Sequence, residues 1–167
     1  MPHYRQTIGV PKELALKIRE AVPGDAAAAT RVARAAKASW GYPEEWLREW
    51  EEELTITPTY IRDNSVFVAE SSGEIVGMVA VEVGPEAPEI GHLWVRPPSQ
   101  GNGWGRALIA RIRQHGKDLG WNHFRVVSDP FAESFYRRLG GVRVGEVDAP
   151  VNGSERRLPV MMLSVAG

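Results

Sequence analysis

Cysteine is absent from the chain, which excludes disulfides, zinc held by thiolates and any acyl-enzyme formed on a protein thiol. Chemistry must run through oxygen and nitrogen groups. Apolar runs approaching the roughly 18 residues of a membrane helix are missing too, and residues 1–10 carry His3, Arg5 and Gln6 with no apolar stretch between them. Neither a membrane partner nor a secretory leader is expected, and the predicted compartment is the cytoplasm. Internal repeats, an interdomain linker and low-complexity tracts beyond an Ala-rich segment at residues 26–38 are also lacking. The 167 residues are predicted to form one domain over 1–167, with 1–14 as an N-terminal extension.

A net charge of −1 conceals a split. Residues 43–54 hold six Glu against Arg48 alone, whereas residues 96–138 hold eight Lys or Arg against three acids. An anionic ligand near the second segment and a cationic one near the first suit this pattern. The basic segment lacks interleaved aromatics and any nucleic-acid motif, so no nucleic acid partner is expected. The four histidines, 3, 92, 115 and 123, show no ligand spacing with carboxylates, and no metal is expected.

Alternation over residues 15–22 predicts a strand, and Pro23-Gly24-Asp25 a turn in which Asp25 caps a helix over 26–38. A second helix is predicted over 43–54, with Trp46, Leu47, Trp50 and Leu54 at helical spacing; Trp46 and Trp50 belong to its buried face. β-Branched runs over 65–70, 74–83 and 89–95, joined by short turns, predict an antiparallel meander. Trp104, Leu108, Ile112, His115 and Leu119 form the apolar stripe of a helix over 103–119 that Gly120 ends. A strand over 123–127, a short helix over 131–139 and strands over 141–147 and 157–165 follow. The predicted class is α+β with layers of the α/β type: a mixed, mostly antiparallel sheet of about seven strands flanked by about four helices.

Glycine is in excess, at 17 of 167 residues, and Gly101, Gly103 and Gly105 alternate between a strand and an amphipathic helix. Such a loop lets backbone N–H groups close on an anion at the positive end of a helix, which suits phosphates. A Walker A loop needs Gly-Lys-Ser/Thr, which is absent. A dinucleotide fingerprint fails as well, because Arg106 or Leu108 stands where its last glycine belongs.

Gln100, Gly103 and Gly105 do fit Q-x-x-G-x-G, following Val95-Arg96-Pro97 as V-x-P. Asp129, Ala132, Phe135 and Tyr136 fit N-x-x-A-x-x-F-Y with Asp in place of Asn, and Leu139-Gly140-Gly141 closes that helix. In these two motifs, at their proper spacing, the chain resembles the GCN5-related N-acetyltransferase (GNAT) superfamily, and the element order is similar from about Ile18 to Val165. The resemblance implies acetyl-CoA as co-substrate, with its pyrophosphate on backbone N–H groups of Gln100, Gly101, Asn102, Gly103, Trp104, Gly105 and Arg106. It implies pairing of the pantetheine arm with the main chain of Leu93 and Val95, a base at Glu89, and an acid at Tyr136 for the departing thiolate. A homodimer is common among the proteins it resembles.

The residues add detail. On a regular strand Glu89, Leu93 and Val95 share one face while Ile90, His92 and Trp94 share the other; a bulge would favour His92, whose intrinsic pKa suits a base better. The Arg106 guanidinium is the side-chain candidate for a phosphate. The N–H of Val95 is the candidate for the oxyanion. Trp40 and Tyr42 are the candidates for lining the acceptor pocket, the acidic segment drawing in a cation. The expected activity is transfer of an acetyl group from acetyl-CoA to a primary amine, on a small molecule or a peptide, by direct attack in a ternary complex. The alternative is a noncatalytic acyl-CoA-binding or sensing module, which would keep the loop and dispense with Glu89 and Tyr136.

Overall fold

The computed structural model describes residues 17–167. The expected extension over 1–14 and the first residues of the opening strand lie outside the described residues. Seven strands, β1 (Lys17–Glu20), β2 (Ser65–Ser71), β3 (Glu74–Val83), β4 (Pro88–Val95), β5 (His123–Val127), β6 (Val142–Asp148) and β7 (Arg157–Ser164), form one sheet in the order β1-β2-β3-β4-β5-β7-β6. Neighbours are antiparallel except β4 and β5, which are parallel. The helices are α1 (Ala26–Ala38), α2 (Glu44–Glu49), α3 (Pro58–Asp63), α4 (Trp104–Leu119) and α5 (Glu133–Arg138). The mixed sheet of the predicted class is present, with five α-helices among the described residues where about four were expected.

α3 is the addition. At six residues it is too short to show a hydrophobic period, but its start carries a chemical signal: Thr57 Oγ1 accepts the Tyr60 N–H at 3.0 Å and Pro58 occupies the first turn. α2, by contrast, stops at Glu49 instead of reaching 54. Continuing it would set Glu51, Glu52 and Glu53 at the negative end of the helix dipole. Asp25 does not cap α1. Arg19 claims it instead, through bonds of 2.7 and 3.0 Å that hold the carboxyl below its ordinary pKa.

The sheet divides the core. On one side Val79 and Val81 of β3 meet Leu108 and Ile112 of α4; on the other, Met78 and Ala80 meet Ala29 of α1 and Ile61 of α3. Ile109 joins the buried stripe of α4, while Leu119, predicted to lie in it, is exposed because Gly120 ends the helix there in the left-handed region. No helix among the described residues is long and apolar enough to cross a membrane.

Losing the cap of α3 should be measurable. Thr57→Ala is expected to cost about 1 kcal/mol, seen as a lower urea midpoint with an unchanged denaturant slope.

Candidate active site

Strand β4 carries one extra residue. Ala80 pairs with His92 and Val81 with Ile90, which leaves Gly91 without a partner in the ladder. A bulge slips the two-residue alternation by one, so side chains beyond it change sides. Ile90, rather than Glu89, shares the α4-side core with Leu93 and Val95. Glu89, opposite Glu82 in the ladder, falls on the side of His92 and Trp94. The expected placing of Glu89 beside Leu93 and Val95 is therefore corrected.

Glu89 also stands opposite Arg125, the single register pair between β4 and β5, and its carboxylate accepts from the Arg125 guanidinium at 3.0 Å. Past this point the strands diverge. Arg96 donates its N–H to Val76 at 2.8 Å, which makes the 96–76 pair a hydrogen-bonded one and leaves Val95 and Leu93 at the alternate positions. Their backbone groups consequently face the β5 side, where no strand meets them. The Val95 carbonyl accepts from Gln100 Nε2 at 2.9 Å.

This open edge is one wall of a cavity of about 480 Å³. The glycine loop forms its end. Gly101 and Gly103 have φ of 79° and 84°, a region that costs an L side chain roughly 1–2 kcal/mol. Gly105 serves another purpose: a Cβ there would lie 3.2 Å from the Phe135 ring, so its bareness lets α4 and α5 pack closely. The free N–H groups at the start of α4 border the cavity, as do Arg106 and Arg138, both exposed and in no ion pair among the described residues. Asn102 does not line it; its amide bonds the Ser99 carbonyl at 3.3 Å. The Trp104 side chain is buried in the core, leaving its main chain to face a ligand. Tyr136 lines the wall opposite β4, and burial pushes its phenol pKa up, so it is protonated at neutral pH. Ser99 and Arg138, outside both motifs, also line it, together with Ala132 of the second motif.

Across β4 lies a second cavity, of about 470 Å³, bordered by Glu52, Glu53, Tyr60, Glu82, His92 and Trp94. The His92 Nδ1 accepts the Trp94 indole N–H at 2.9 Å, and the Tyr60 ring meets the imidazole edge-on. Burial lowers the His92 pKa to about 4, which makes it neutral at pH 7. Trp94, which borders this second cavity, lies 5.9 Å between ring centroids from Trp40. Trp40, expected in the acceptor pocket, lines the first cavity, stacked on Phe131, and not the second.

A model of the acetyltransferase (GNAT) domain matches residues 40–154, more than half of the chain. The chain belongs to the GNAT acetyltransferase family. No curated protein matches it by sequence. Solved structures do share its fold. A GCN5-related N-acetyltransferase from Rhodopseudomonas palustris has a TM-score of 0.75 at 21% identity, over 90% of this chain and 96% of that one. The PaiA N-acetyltransferase of Thermoplasma acidophilum, in complex with coenzyme A, has 0.71 at 18%, over 90% and 99%. A spermidine N-acetyltransferase chimera of Vibrio cholerae SpeG and hSSAT has 0.66 at 22%, over 90% and 96%.

Asp129, where this GNAT chain departs from the usual Asn, faces neither a phosphate nor solvent. Its carboxylate takes Lys37 Nζ, Arg156 Nη2 and the Tyr42 hydroxyl, each at 2.9 Å, and the Phe131 N–H at 2.9 Å. The three charged side chains are 6–10% exposed. Burial alone would raise the Asp129 pKa, but the bond and charge of Lys37, the Phe131 N–H and the Tyr42 hydroxyl outweigh it and hold it low. Burial lowers the pKa of Lys37, whose ammonium sits 4.1 Å from the Trp50 ring centroid. Tyr42 is pushed up to about 12 by burial, and, bonded to this cluster, it borders neither cavity. Tyr42, expected to line the acceptor pocket, has its hydroxyl drawn to the carboxylate at 129.

Two measurements probe these environments. Asp129→Asn restores the usual family residue yet leaves two buried cations without a counter-charge, so a loss of about 3 kcal/mol or more is expected in urea unfolding, partly recovered by adding Lys37→Met. The folded pKa of His92 lies below the ordinary 6.5, so its stabilising contribution is complete above that pH and is lost as pH falls toward 4. Relative to His92→Gln, the wild type should lose about 3 kcal/mol between pH 7 and pH 4 in matched urea titrations.

Proposed function

We propose that this family member moves an acetyl group from acetyl-CoA to a primary amine by direct attack in a ternary complex. The observation that carries the reading is the unpaired edge of β4, with Leu93 and Val95 running to a glycine loop flanked by Arg106 and Arg138. An extended, amide-bearing arm adds to such an edge as a peptide does, and its phosphates meet the loop N–H groups and the two guanidiniums. The coenzyme A in the Thermoplasma relative supports the same ligand class.

An ammonium has no lone pair, so the acceptor must lose a proton before attack. His92 is the better placed of the two candidates. It borders the second cavity and is neutral; its Nδ1 accepts from Trp94 and its ring proton is therefore on Nε2, so it takes the acceptor's proton at Nδ1 in exchange for the Trp94 bond, while Glu89 borders neither cavity and is committed to Arg125. As the nitrogen bonds to the acetyl carbon, charge moves to the carbonyl oxygen, which the Val95 N–H faces. The carbon–sulfur bond then breaks, Tyr136 gives its proton to the sulfur, and the second proton shed by the nitrogen restores the phenol. An apolar surrounding keeps that phenol protonated until the thiolate forms.

Release of free thiol with a panel of amines tests the scheme. Tyr136→Phe and His92→Gln should each lower kcat about 100-fold, while calorimetry gives an unchanged affinity for acetyl-CoA; Glu89→Gln should lose less than either. Saturable acetyl-CoA binding without thiol release from any amine would mark a sensing module instead.

A further inference from the structure

The cluster around Asp129 does not balance. Lys37 and Arg156 both donate to one carboxylate oxygen, Oδ2, at 2.9 Å, while Oδ1 accepts from the Tyr42 hydroxyl and the Phe131 N–H. Two positive charges on side chains only 10% exposed thus meet one negative charge. A buried charge without a partner is costly, and a guanidinium does not shed its proton. The Trp50 ring, 4.1 Å from Lys37 Nζ and 4.8 Å from Arg156 Cζ, takes up part of the excess. It supplies no anion. The donors are not exhausted either. Arg156 donates from Nη2 only, to Tyr42 and Asp129; its Nε and Nη1 have no partner among the described residues, and neither is sealed from solvent. Asp148 and Glu155, which share another cavity with Arg156, do not pair with it.

Both cations border the second cavity. Its other acids leave them unmatched: Glu82 meets the Tyr60 hydroxyl, and Glu52 and Glu53 are exposed, where solvent screens them, with no ion pair among the described residues.

We propose that Arg156, with Lys37 beside it, binds a carboxylate carried by the acceptor, so that the acceptor class is an amino acid and not a plain amine. This rests on the reading of the second cavity as the acceptor side. The incoming carboxylate accepts charge-assisted bonds from the free N–H groups and brings the cluster to two cations and two anions. Trp94 relates this floor to the base, its ring centroid being 6.3 Å from that of His92 and 5.9 Å from Lys37 Nζ. An acceptor held at Arg156 lies along that indole with its amino group at His92. The three glutamates make the cavity as a whole acidic, which disfavours an anion that lacks an amino group and suits a zwitterion. Arg156 binds and orients; it moves no proton.

Matched ligands isolate the carboxylate: lysine against 1,5-diaminopentane, phenylalanine against 2-phenylethylamine, and 4-aminobutanoate against propylamine. Calorimetry with coenzyme A in place of acetyl-CoA reads binding without turnover. In at least one pair the amino acid should bind about tenfold more tightly than the amine, or better. Arg156→Gln should bring that pair to within about twofold. This variant leaves Lys37 and Asp129 as a one-to-one pair, so it should keep the fold and the wild-type affinity for coenzyme A. Lys37→Met removes the excess charge from the other side and should weaken the same amino acid about threefold or more, which provides a second reading if Arg156→Gln is unstable. Equal affinities within every pair, or an advantage that survives both substitutions, overturn the carboxylate subsite. Failure of coenzyme A to bind overturns the reading of the first cavity instead, and an Arg156-dependent preference for amino acids would stand without it.

Discussion

The four partners of the Asp129 carboxylate come from four separate parts of the chain, which it ties together. Lys37 comes from α1, Tyr42 from the loop after it, Arg156 from the approach to β7, and the Phe131 N–H from the turn that starts α5. Phe131 and Tyr136 wall one cavity, while Lys37 and Arg156 floor the other. The carboxylate thereby sets the spacing of both. Two buried cations share one anion, with the Trp50 face taking part of the load. An amide at this position could accept from one of them and would leave the other unmatched, which is why the departure from the family pattern is structural in its effect.

A second constraint is the break between β4 and β5. In a continuous sheet Leu93 and Val95 would spend their backbone groups on a neighbour. Here the pairing at Glu89 and Arg125 marks where continuity ends, and the bulge at Gly91, two residues further on, turns Ile90 into the core and Glu89 out of it. Sheet edges are ordinarily blunted against association. Here the glycine loop and Tyr136 line the same cavity as the open edge and enclose it.

Most of the fold was legible because it is patterned: β2 and β3 are apolar, largely β-branched runs bounded by turns, and α4 shows a helical stripe with a glycine at its end. The glycine loop was legible because its chemistry is local. What escaped has a physical reason in each case. α3 is shorter than two turns, so capping was its only signal. Strand alternation gave Glu89 the wrong face because a bulge costs one residue of register and leaves no mark in composition beyond a glycine. Tyr42 looked like a pocket aromatic, since nothing in its neighbours announces a carboxylate 87 residues away at 2.9 Å. Gly105 looked like part of the phosphate cradle alone, and only the Phe135 ring beside it shows the packing it also serves.

The bond from Gln100 to the Val95 carbonyl has a metric consequence. With that acceptor occupied, the exposed edge offers the N–H and C=O of Leu93 and the N–H of Val95, an asymmetric pattern that an amide-bearing arm matches in one register and one direction. The edge is thereby directional and anchored at the glycine loop. An extended ligand set one residue step further along it would move every group it carries by about 3.3 Å.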